Sequence, residues 1–517
     1  MGTARARWVL LTTVLGSGLA MLDATVVNVA LKRIGTDLDA DFAGLQWTIN
    51  AYTLTLAALI LLGGSLGDRF GRRRIFLIGV VWFALASLLC GLAPSIEMLV
   101  AARAFQGVGG ALLTPGSLAI ISAAFHGADR AAAIGAWSGL GGVAGAVGPF
   151  VGGWLVEWNW RAVFLLNLPI ALLIIVVAVR HVPETRDPEA APRLDWPGTV
   201  AVVVGLAGLT YALTAAGTEG WSRTVLASGA LGLLALALFV VVETRSPHPL
   251  VPPRLFADRQ FSATNAVTLL VYAALGVLFV LLVLHLQVVA GFTPLLAGTA
   301  LLPVTVLMLL FSARVGALAQ RFGPRLFLTA GPIVAAGGVL LLRGIGPDAS
   351  YVLEVLPGAL AFGAGLTLTV APLTATVLDS APDRFAGVAS GVNNATARAA
   401  GLLAVAVVPV AAGIGGEDYT DPATFGDGFR TAMLIVAGLL VAGGLLALAA
   451  VRRPLAAAPA VPPAEPVRAG PQPTASEGAG RVHIEQCAHC GVTGPQLHPS
   501  ERWSAGDRAG GDDQRRR

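Results

Sequence analysis

Long apolar runs separated by short polar segments dominate the chain between residues 8 and 451. A helix needs about 20 mainly apolar residues to cross a bilayer, and these runs reach that length. The pattern therefore predicts an all-α integral membrane protein with about 14 transmembrane helices. The predicted segments are 8–31, 46–66, 75–93, 98–122, 134–156, 161–181, 197–216, 225–243, 262–288, 295–318, 326–345, 351–378, 390–414 and 430–451.

One compact basic segment, residues 64–74 (GSLGDRFGRRR), lies between the second and third apolar runs. Lys and Arg resist translocation, so short basic loops mark the cytoplasmic side of a membrane. When the loops are assigned alternately to two sides, Lys and Arg favour the side of this segment by roughly three to one. We therefore expect both termini in the cytoplasm and the acidic stretch 417–427 outside. The first run is too long for a typical signal peptide, so we expect it to remain as a membrane helix.

Composition agrees with a membrane protein, because 55% of the residues are hydrophobic, 12% are charged and the mean hydropathy is +0.75. Soluble domains carry about 25% charged residues. The net charge of +4 follows from basic loops and a basic tail. Since no basic stripe with interleaved aromatic residues is present, we expect no nucleic-acid partner. Three Cys cannot build a disulfide framework, and no phosphate-binding G-x-x-x-x-G-K-[ST] loop supports an ATP-driven pump.

An internal repeat suggests two related halves. Residues 316–325 (GALAQRFGPR) repeat the G-x-L-x-x-R-F-G pattern of residues 64–73, with Gln320 in place of Asp68. Repeats of this size are common in secondary transporters. The predicted domains are an N-terminal six-helix bundle (8–181), two additional membrane helices (197–243), a C-terminal six-helix bundle (262–451) and a flexible cytoplasmic tail (454–517).

Four motifs occur in order along the chain: Leu22-Asp23-x-Thr25-x-x-Asn28-x-Ala30-Leu31, Gly64-x-Leu66-Gly67-Asp68-Arg69-x-Gly71-Arg72-Arg73, Arg103-x-x-Gln106-Gly107-x-Gly109-Gly110 and Gly148-Pro149-x-x-Gly152-Gly153. They resemble motifs of the major facilitator superfamily, specifically its fourteen-helix drug/proton antiporter branch, in which the last of the four is the antiporter motif. The resemblance covers about residues 8–455 and implies two six-helix bundles of the major facilitator fold plus two extra central helices. The antiporter motif often has Gly four residues before Gly148, where this chain has Ala144.

The resemblance implies a gating role for the basic loop, in which Asp68 pairs across the interface between the halves. We place its partner at the start of the thirteenth predicted helix, after Asp383-Arg384. The alternative is that the loop only determines topology. The gating residues are Gly64, Asp68, Arg69, Gly71, Arg72 and Arg73. In the antiporter motif, Gly148, Pro149, Gly152 and Gly153 either kink the fifth helix at Pro149 or provide a surface of small residues for close packing.

Ionisable residues inside the apolar runs are the candidates for coupling. A charge at the centre of a membrane helix costs about 2.5–3.5 kcal/mol on the insertion scale, so it should face a cavity or a partner. Asp23 is our first candidate for a proton and cation site, where substrate and proton compete for one carboxylate. The alternative is a structural hydrogen bond from Asp23 to Asn28 or to a neighbouring helix. The coupling residues predicted are Asp23, Asn28, Arg103, Gln106 and Arg398.

Two of these residues have further alternatives. Arg103 either shifts the pKa of a nearby carboxylate or relays the proton; the alternative is that it forms a structural pair. Arg398, which shares its segment with Asn393 and Asn394, either faces the central cavity or braces the cytoplasmic gate. The residues that could line a cavity are Trp47, Asn50, Tyr52, Gln106, Trp137, Tyr272, His285 and Gln287. Trp and Tyr near the ends of segments also serve as interfacial anchors, and we expect His285 to be exposed.

The tail carries a Cys/His cluster, His483, Cys487, His489 and Cys490, with His498 further on. Such residues can bind zinc, but a second pair at finger spacing is missing, so we expect a disordered, reduced tail and no metal.

The function predicted is proton-driven efflux of small amphipathic organic compounds across the cytoplasmic membrane by alternating access. No cofactor is expected, because the proton gradient supplies the energy. The expected partners are a small-molecule substrate, protons and the bilayer, and we expect a monomer that is not an enzyme. The alternatives are an importer or uniporter, a carrier of one endogenous metabolite, or a membrane receptor or enzyme. The sequence does not identify the substrate.

Overall fold

The computed structural model describes residues 4–125, 127–187, 194–246, 249–381, 385–416 and 418–452. These residues form helices joined by short connections, and no strand occurs among them. The helices are α1 (Ala4–Leu38), α2 (Phe42–Phe70), α3 (Arg72–Gly91), α4 (Ile96–Ala124), α5 (Gly127–Trp158), α6 (Ala162–Leu165), α7 (Asn167–His181), α8 (Trp196–Glu219), α9 (Arg223–Arg245), α10 (Arg254–Ala257), α11 (Arg259–Val288), α12 (Pro294–Thr299), α13 (Leu302–Phe322), α14 (Pro324–Leu342), α15 (Leu356–Asp379), α16 (Ala386–Ala411) and α17 (Pro422–Ala450). A π-helical turn, Tyr351–Val355, precedes α15, and a 3-10 turn, Asp418–Thr420, precedes α17.

Thirteen helical stretches in this part of the chain are long and apolar enough to cross a membrane. Three of them combine neighbouring elements: α6 with α7, α12 with α13, and the π-helical turn with α15. The remaining predicted segment, 134–156, lies within the 32-residue helix α5, where several side chains lie outside the described part. Large apolar side chains such as Leu172, Leu234 and Leu310 are exposed on outward faces, as expected where lipid replaces water. The prediction of an all-α multi-pass membrane protein is confirmed.

Polar caps define where most of these helices begin. At these helix starts the N-cap side chain accepts a hydrogen bond from a backbone N–H group in the first turn. The N-cap residues are Asp41 (α2), Ser95 (α4), Asp195 (α8), Ser222 (α9), Asp258 (α11), Thr293 (α12) and Asp421 (α17). Four backbone N–H groups at each helix start lack intrahelical partners, and such caps satisfy one or two of them. At Asp421, hydrogen bonds from Thr424 and from the backbone of Ala423 and Thr424 lower the pKa of the carboxyl group.

Both copies of the internal repeat contain a glycine with a positive φ angle at the same position. Gly71 has φ of 114° and separates α2 from α3, while Gly323 has φ of 87° and separates α13 from α14. Side chains with a Cβ rarely adopt these angles, so glycine allows one helix to stop and the next to start within a single residue. At Gly71 a Cβ would also lie 2.7 Å from a carboxylate oxygen of Glu184.

Helices of the first six predicted segments pack mainly with one another, as do those of the last six. We call α1–α7 the N-terminal group and α11–α17 the C-terminal group. In the N-terminal group α4 packs against α2 and α3, and α1 packs against α5. In the C-terminal group α14 packs against α15 and α17, and α11 packs against α16 and α17. The groups meet where α2 contacts α16 and where α5 contacts α12; α8, which pairs with α9, lies against both α2 and α16.

Helix α1 is longer than the sequence predicts. It continues to Leu38, seven residues beyond the predicted apolar run, and the polar side chains of the extension have partners: Lys32 donates to the Gln287 carbonyl, and Asp37 pairs with Arg33 and accepts from Trp160. The tail 454–517, with Cys487, His489 and Cys490, lies outside the described residues, so its expected disorder stays a prediction.

Candidate functional site

A buried ion pair lies inside the N-terminal group. Asp23 on α1 is 0% exposed and Arg103 on α4 is 1% exposed. Arg103 Nη1 donates to Asp23 Oδ2 at 2.6 Å. The other carboxylate oxygen, Oδ1, accepts from Gln106 Nε2 and from Asn167 Nδ2, both at 2.8 Å. Because Asp23 only accepts hydrogen bonds in this arrangement, the geometry fits an ionised carboxylate.

A second set of contacts holds the donors to Asp23 in place. The Ser87 hydroxyl on α3 accepts from Gln106 Nε2 at 2.8 Å and from Asn167 Nδ2 at 3.2 Å. Gln106 Oε1 in turn accepts from Arg103 Nη1 at 2.6 Å. Both ends of the Gln106 amide therefore have hydrogen-bond partners. Of the Asn167 amide only Nδ2 has them, because Oδ1 is buried without a partner among the described residues.

Arg103 also joins this network to α2. Its Nε donates to the backbone carbonyl of Thr48 at 3.0 Å. Its guanidinium carbon lies 4.4 Å from the ring centre of Tyr52 and 5.8 Å from that of Phe164. A cation over an aromatic face is stabilised by the ring quadrupole, and more so when it is desolvated. Arg103 therefore links the charge of Asp23 to the contacts of α2, the helix that packs against α16 of the C-terminal group.

The structure brings together three of the five predicted coupling residues: Asp23, Arg103 and Gln106. Asn28 does not join them, and its buried Oδ1 has no hydrogen-bond partner among the described residues. Asp23 thus bonds to neighbouring helices and not to Asn28. Sequence reasoning missed Ser87 and Asn167. The signal that could have found Asn167 is a lone amide in the apolar stretch 162–179.

Arg398 lies apart from this network, on the face of α16 that meets α2. It is the 13th residue of the 26-residue helix and is half-buried. Seven residues before it, Gly391 packs against Leu61, and seven residues after it, the Val405 carbonyl accepts from Gln46. Since seven residues are about two helical turns, all three positions share one face.

Arg398 has no hydrogen bond or ion pair with any described residue. A free cation at this depth costs about 2.5–3.5 kcal/mol on the insertion scale. This position favours the interpretation that Arg398 faces the central space between the groups.

Other predicted cavity residues have structural partners. Asn393 donates to Asn265 Oδ1 at 3.2 Å and to the Thr268 hydroxyl at 2.8 Å, whereas Asn394 is exposed. Trp137 donates to the Ser17 hydroxyl at 3.0 Å. The rings of Trp47 on α2 and Tyr211 on α8 are 6.5 Å apart.

The expectation that His285 is exposed is wrong. Its side chain is 1% exposed, it stacks on Phe429 with ring centres 3.8 Å apart, and its Nε2 lies 3.0 Å from the Ile345 carbonyl oxygen. The C-terminal end of α11 is covered by α17 and by the end of α14, which the local sequence does not reveal.

Hydrogen bonds between the N- and C-terminal groups, within the described chain, all lie at one end of the molecule, where α1 finishes and α2 begins. Lys32 Nζ donates to the Gln287 carbonyl at 2.6 Å, and Gln287 Nε2 donates to the Val29 carbonyl at 3.0 Å. The others are Tyr419 Oη to the Ala40 carbonyl, Phe42 N to the Gly416 carbonyl at 2.8 Å and Gln46 Nε2 to the Val405 carbonyl at 2.7 Å. We call this the sealed end.

At the opposite end, the predicted gating loop binds within its own group. Asp68 Oδ1 pairs with Arg72, with N···O distances of 2.8 and 2.7 Å, and the Asp68 carbonyl accepts from the Asp187 N–H at 3.0 Å. Glu184 accepts from the N–H groups of Arg73 and Arg74 at 3.0 and 3.1 Å. The predicted partner region at Asp383-Arg384 lies outside the described residues, so pairing of Asp68 across the interface stays a prediction.

The antiporter motif forms a surface of small residues on α5. A Cβ on Gly148 would overlap the Thr25 hydroxyl of α1, and one on Gly152 would lie 3.0 Å from Val26 Cγ1. On the other side, a Cβ on Gly153 would lie 2.6 Å from the Leu295 Cα of α12, and Gly298 of α12 approaches the Pro149 carbonyl. The motif therefore lets α5 pack closely against the helix that carries Asp23 and against the C-terminal group.

Comparisons with known proteins agree with this architecture. Residues 13–405 match the family model of the Major Facilitator Superfamily. The chain is 36% identical over 405 residues to the multidrug resistance protein Stp of Mycobacterium tuberculosis (strain CDC 1551 / Oshkosh), covering 77% of this chain and 74% of Stp. It is 35% identical over 458 residues to the puromycin resistance protein pur8 of Streptomyces alboniger, covering 86% and 91% of the two chains.

A third relative, the probable actinorhodin transporter of Streptomyces coelicolor (strain ATCC BAA-471 / A3(2) / M145), is 36% identical over 416 residues, covering 78% of this chain and 72% of its own. Among solved structures, a bacterial homologue of the human lysosomal transporter Spinster, in an inward-facing and unoccupied conformation, superimposes with a TM-score of 0.62 at 18% identity over 87% of this chain and 98% of that chain. A POT family transporter in complex with a thioalcohol-conjugated peptide gives a TM-score of 0.66 at 14% identity over 86% and 95%. The chain belongs to the major facilitator superfamily of membrane transporters and is not an enzyme.

Proposed function

We propose that this protein exports small amphipathic organic compounds across the cytoplasmic membrane in exchange for protons. The relatives named for drug and antibiotic resistance support export. The observation that supports proton coupling is the Asp23–Arg103 pair, a carboxylate with no solvent exposure inside membrane-spanning helices. Such intramembrane ionisable groups commonly mark proton pathways.

The orientation follows from the basic loop. Arg69 and Arg72–Arg74 lie at the end opposite the seal, and basic loops stay on the cytoplasmic side. The sealed end is then external, both termini are cytoplasmic, and the conformation is one that receives substrate from the cytoplasm. Alternating access requires the five hydrogen bonds of the seal to break while contacts form at the Asp68 end.

Proton coupling at Asp23 follows from the partners of its carboxylate. In the cytoplasm-facing state Asp23 is held as an anion by Arg103, Gln106 and Asn167, so a proton carried inward leaves Asp23 as this network forms. Protonation from outside removes the charge that holds Arg103 and loosens its contacts with Thr48 and Tyr52. The proton therefore competes with Arg103, and the substrate acts on Asp23 indirectly through α2. Each proton supplies about 1.4 kcal/mol per pH unit and about 2.3 kcal/mol per 100 mV.

The alternative of a carrier dedicated to one endogenous metabolite is favoured by the relative named as a probable actinorhodin transporter, since that name refers to a single compound. Breadth of resistance separates the two functions. We would express the chain in an efflux-deficient host and measure growth on a panel of toxic cations, acidic antibiotics and dyes. We expect resistance to several unrelated compounds, abolished by a protonophore. Resistance that survives the protonophore would contradict proton coupling, and the absence of any resistance would contradict drug export.

A further inference from the structure

The central charge of the C-terminal group is unbalanced. In the N-terminal group Asp23 and Arg103 neutralise each other. Arg398, by contrast, makes no hydrogen bond or ion pair with any residue that the structure describes. It is half-buried and lies at the middle of α16, about 18 Å along the helix axis from either end, where only water or a bound solute in the space between the two groups can act as its partner. An anion bound in that space would neutralise this charge.

A neutral side chain without partners lies beside this position. Asn50 on α2 is one helical turn from Gln46, which bonds to α16, so Asn50 shares the face that meets α16. Both polar atoms of the Asn50 amide are buried with no hydrogen-bond partner among the described residues, and the side chain is 0% exposed. Buried polar groups are normally hydrogen-bonded, so these atoms point to a ligand that the protein itself does not supply.

We propose that Arg398 and Asn50 form a subsite for an anionic group, a carboxylate or an ionised phenol, on the exported compound. This inference rests on the proposed export function and specifies its substrate class. Arg398 supplies the charge and the amide N–H of Asn50 supplies a hydrogen bond, and charge-assisted bonds of this kind are stronger than neutral ones. Permanently cationic compounds are disfavoured at this subsite, in contrast to the cation site expected at Asp23.

The test is binding to the purified full-length protein in detergent, measured by calorimetry. The probes are an amphipathic dye with a benzoate group, its methyl ester and a quaternary ammonium analogue. The variants are Arg398→Gln, Arg398→Lys and, as a matched control, Arg314→Gln, because Arg314 is an exposed arginine of α13 that bonds only to the Leu310 carbonyl in the same helix. Binding in detergent does not depend on a proton gradient, so its outcome is separate from that of the proposed transport.

We expect the wild type to bind the benzoate at least tenfold more tightly than the ester or the ammonium analogue. Arg398→Gln should weaken benzoate binding at least tenfold and leave ester binding within twofold, which also shows that the variant is folded. Arg398→Lys should keep the preference, and Arg314→Gln should match the wild type. The proposal is overturned if the benzoate does not bind, if the wild type shows no preference, or if Arg398→Gln retains it. Loss of proton-driven transport with the preference intact would refute the coupling instead.

Discussion

At the scale of single residues, the buried Asp23–Arg103 pair is the feature on which the proposed proton coupling rests. Desolvating two charges is expensive, and replacing a buried pair by apolar residues is often neutral or stabilising. The protein nevertheless keeps both charges and gives them further hydrogen bonds from Gln106, Asn167 and the Thr48 carbonyl. The retention of both charges supports the proposed role of the pair in proton coupling.

Breaking the pair should destabilise the protein more than removing it. Asp23→Asn leaves Arg103 buried without a counter-ion, and we expect a loss of about 3–5 kcal/mol of stability. The double variant Asp23→Asn/Arg103→Met should regain most of that loss, because no unpaired charge remains. Thermal unfolding of the purified proteins measures both effects.

The control for this comparison is Asp39→Asn. Asp39 is exposed in the turn between α1 and α2 and has φ of 50°, which Asn tolerates well, so its unfolding temperature should match that of the wild type. Equal unfolding temperatures for the single and double Asp23 variants would contradict the ion pair.

The sequence predicted the members of this site unevenly, for physical reasons. Asp23, Arg103 and Arg398 could be identified because a charge inside an apolar run is costly wherever it lies. Ser87 and Asn167 could not, because neutral polar side chains are tolerated in many membrane helices. His285 was wrongly expected to be exposed, since helix periodicity does not say which neighbouring helix covers a given end.

At the scale of elements, Asp68 makes two contacts, one with a residue close in the sequence and one with a distant segment. Its side chain pairs with Arg72 one turn away on α3, and its backbone binds the segment after α7. A partly exposed pair of this kind contributes about 0.2–1 kcal/mol, so its loss should matter little for stability. Any large effect of an Asp68 substitution on transport must therefore arise in the conformation in which the Asp68 end is closed.

We therefore expect Asp68→Asn to slow transport strongly while unfolding at nearly the wild-type temperature. The substitution keeps the shape and the hydrogen-bonding capacity but removes the charge that would latch the Asp68 end when it closes. Double electron–electron resonance between spin labels on the ends of α2 and α16 should show fewer closed distances in the variant. Glu184→Gln, which alters a contact inside the N-terminal group, should leave that distribution unchanged. An unaltered distribution together with normal transport in Asp68→Asn would leave the loop as a topology signal only.

The helices themselves were largely predictable, but their junctions were not. Runs of about 20 apolar residues locate the spans, and Gly71 and Gly323 mark tight reversals because of their positive φ. The break between α6 and α7 has no such signal, since it lies inside a continuous apolar run. The close approach of α5 to α12 depends on small residues in two distant segments, which a pass along one segment does not pair.

At the scale of the whole molecule, orientation is the first expectation to check. Single Cys residues at positions 70, 218 and 420, in a background without Cys90, Cys487 and Cys490, would be treated with an impermeant thiol reagent on intact cells. Phe70 adjoins the basic loop, whereas Thr218 and Thr420 lie near the sealed end, and all three are exposed. We expect labelling at 218 and 420 alone. Labelling at 70 from outside would reverse the orientation.

The seal itself can be locked. We expect Lys32→Cys/Gln287→Cys, joined by a short bifunctional reagent, to arrest transport until the link is cleaved, because the link prevents the two groups from separating at that end. Arg343→Cys/Arg430→Cys is the matched control: Arg343 also donates to the backbone carbonyl of its partner, at 3.2 Å, but both residues belong to the C-terminal group. Full transport by the cross-linked seal variant would show that this end does not open.

The sealed end could not be predicted from the sequence. In four of its five hydrogen bonds a side chain donates to a distant backbone carbonyl, and the fifth joins two backbone groups. Carbonyl groups are the same at every residue, so no sequence pattern records which of them meet.

The central claim is that a proton enters through Asp23 as a compound leaves. Its most direct test is the simultaneous measurement of substrate efflux and internal acidification in proteoliposomes that contain the wild type or Asp23→Asn. We expect the wild type to acidify the vesicle interior in fixed proportion to substrate efflux, and to drive efflux against a substrate gradient. Asp23→Asn should move substrate only down its gradient, with no accompanying acidification. Acidification at the wild-type ratio in Asp23→Asn would contradict the account.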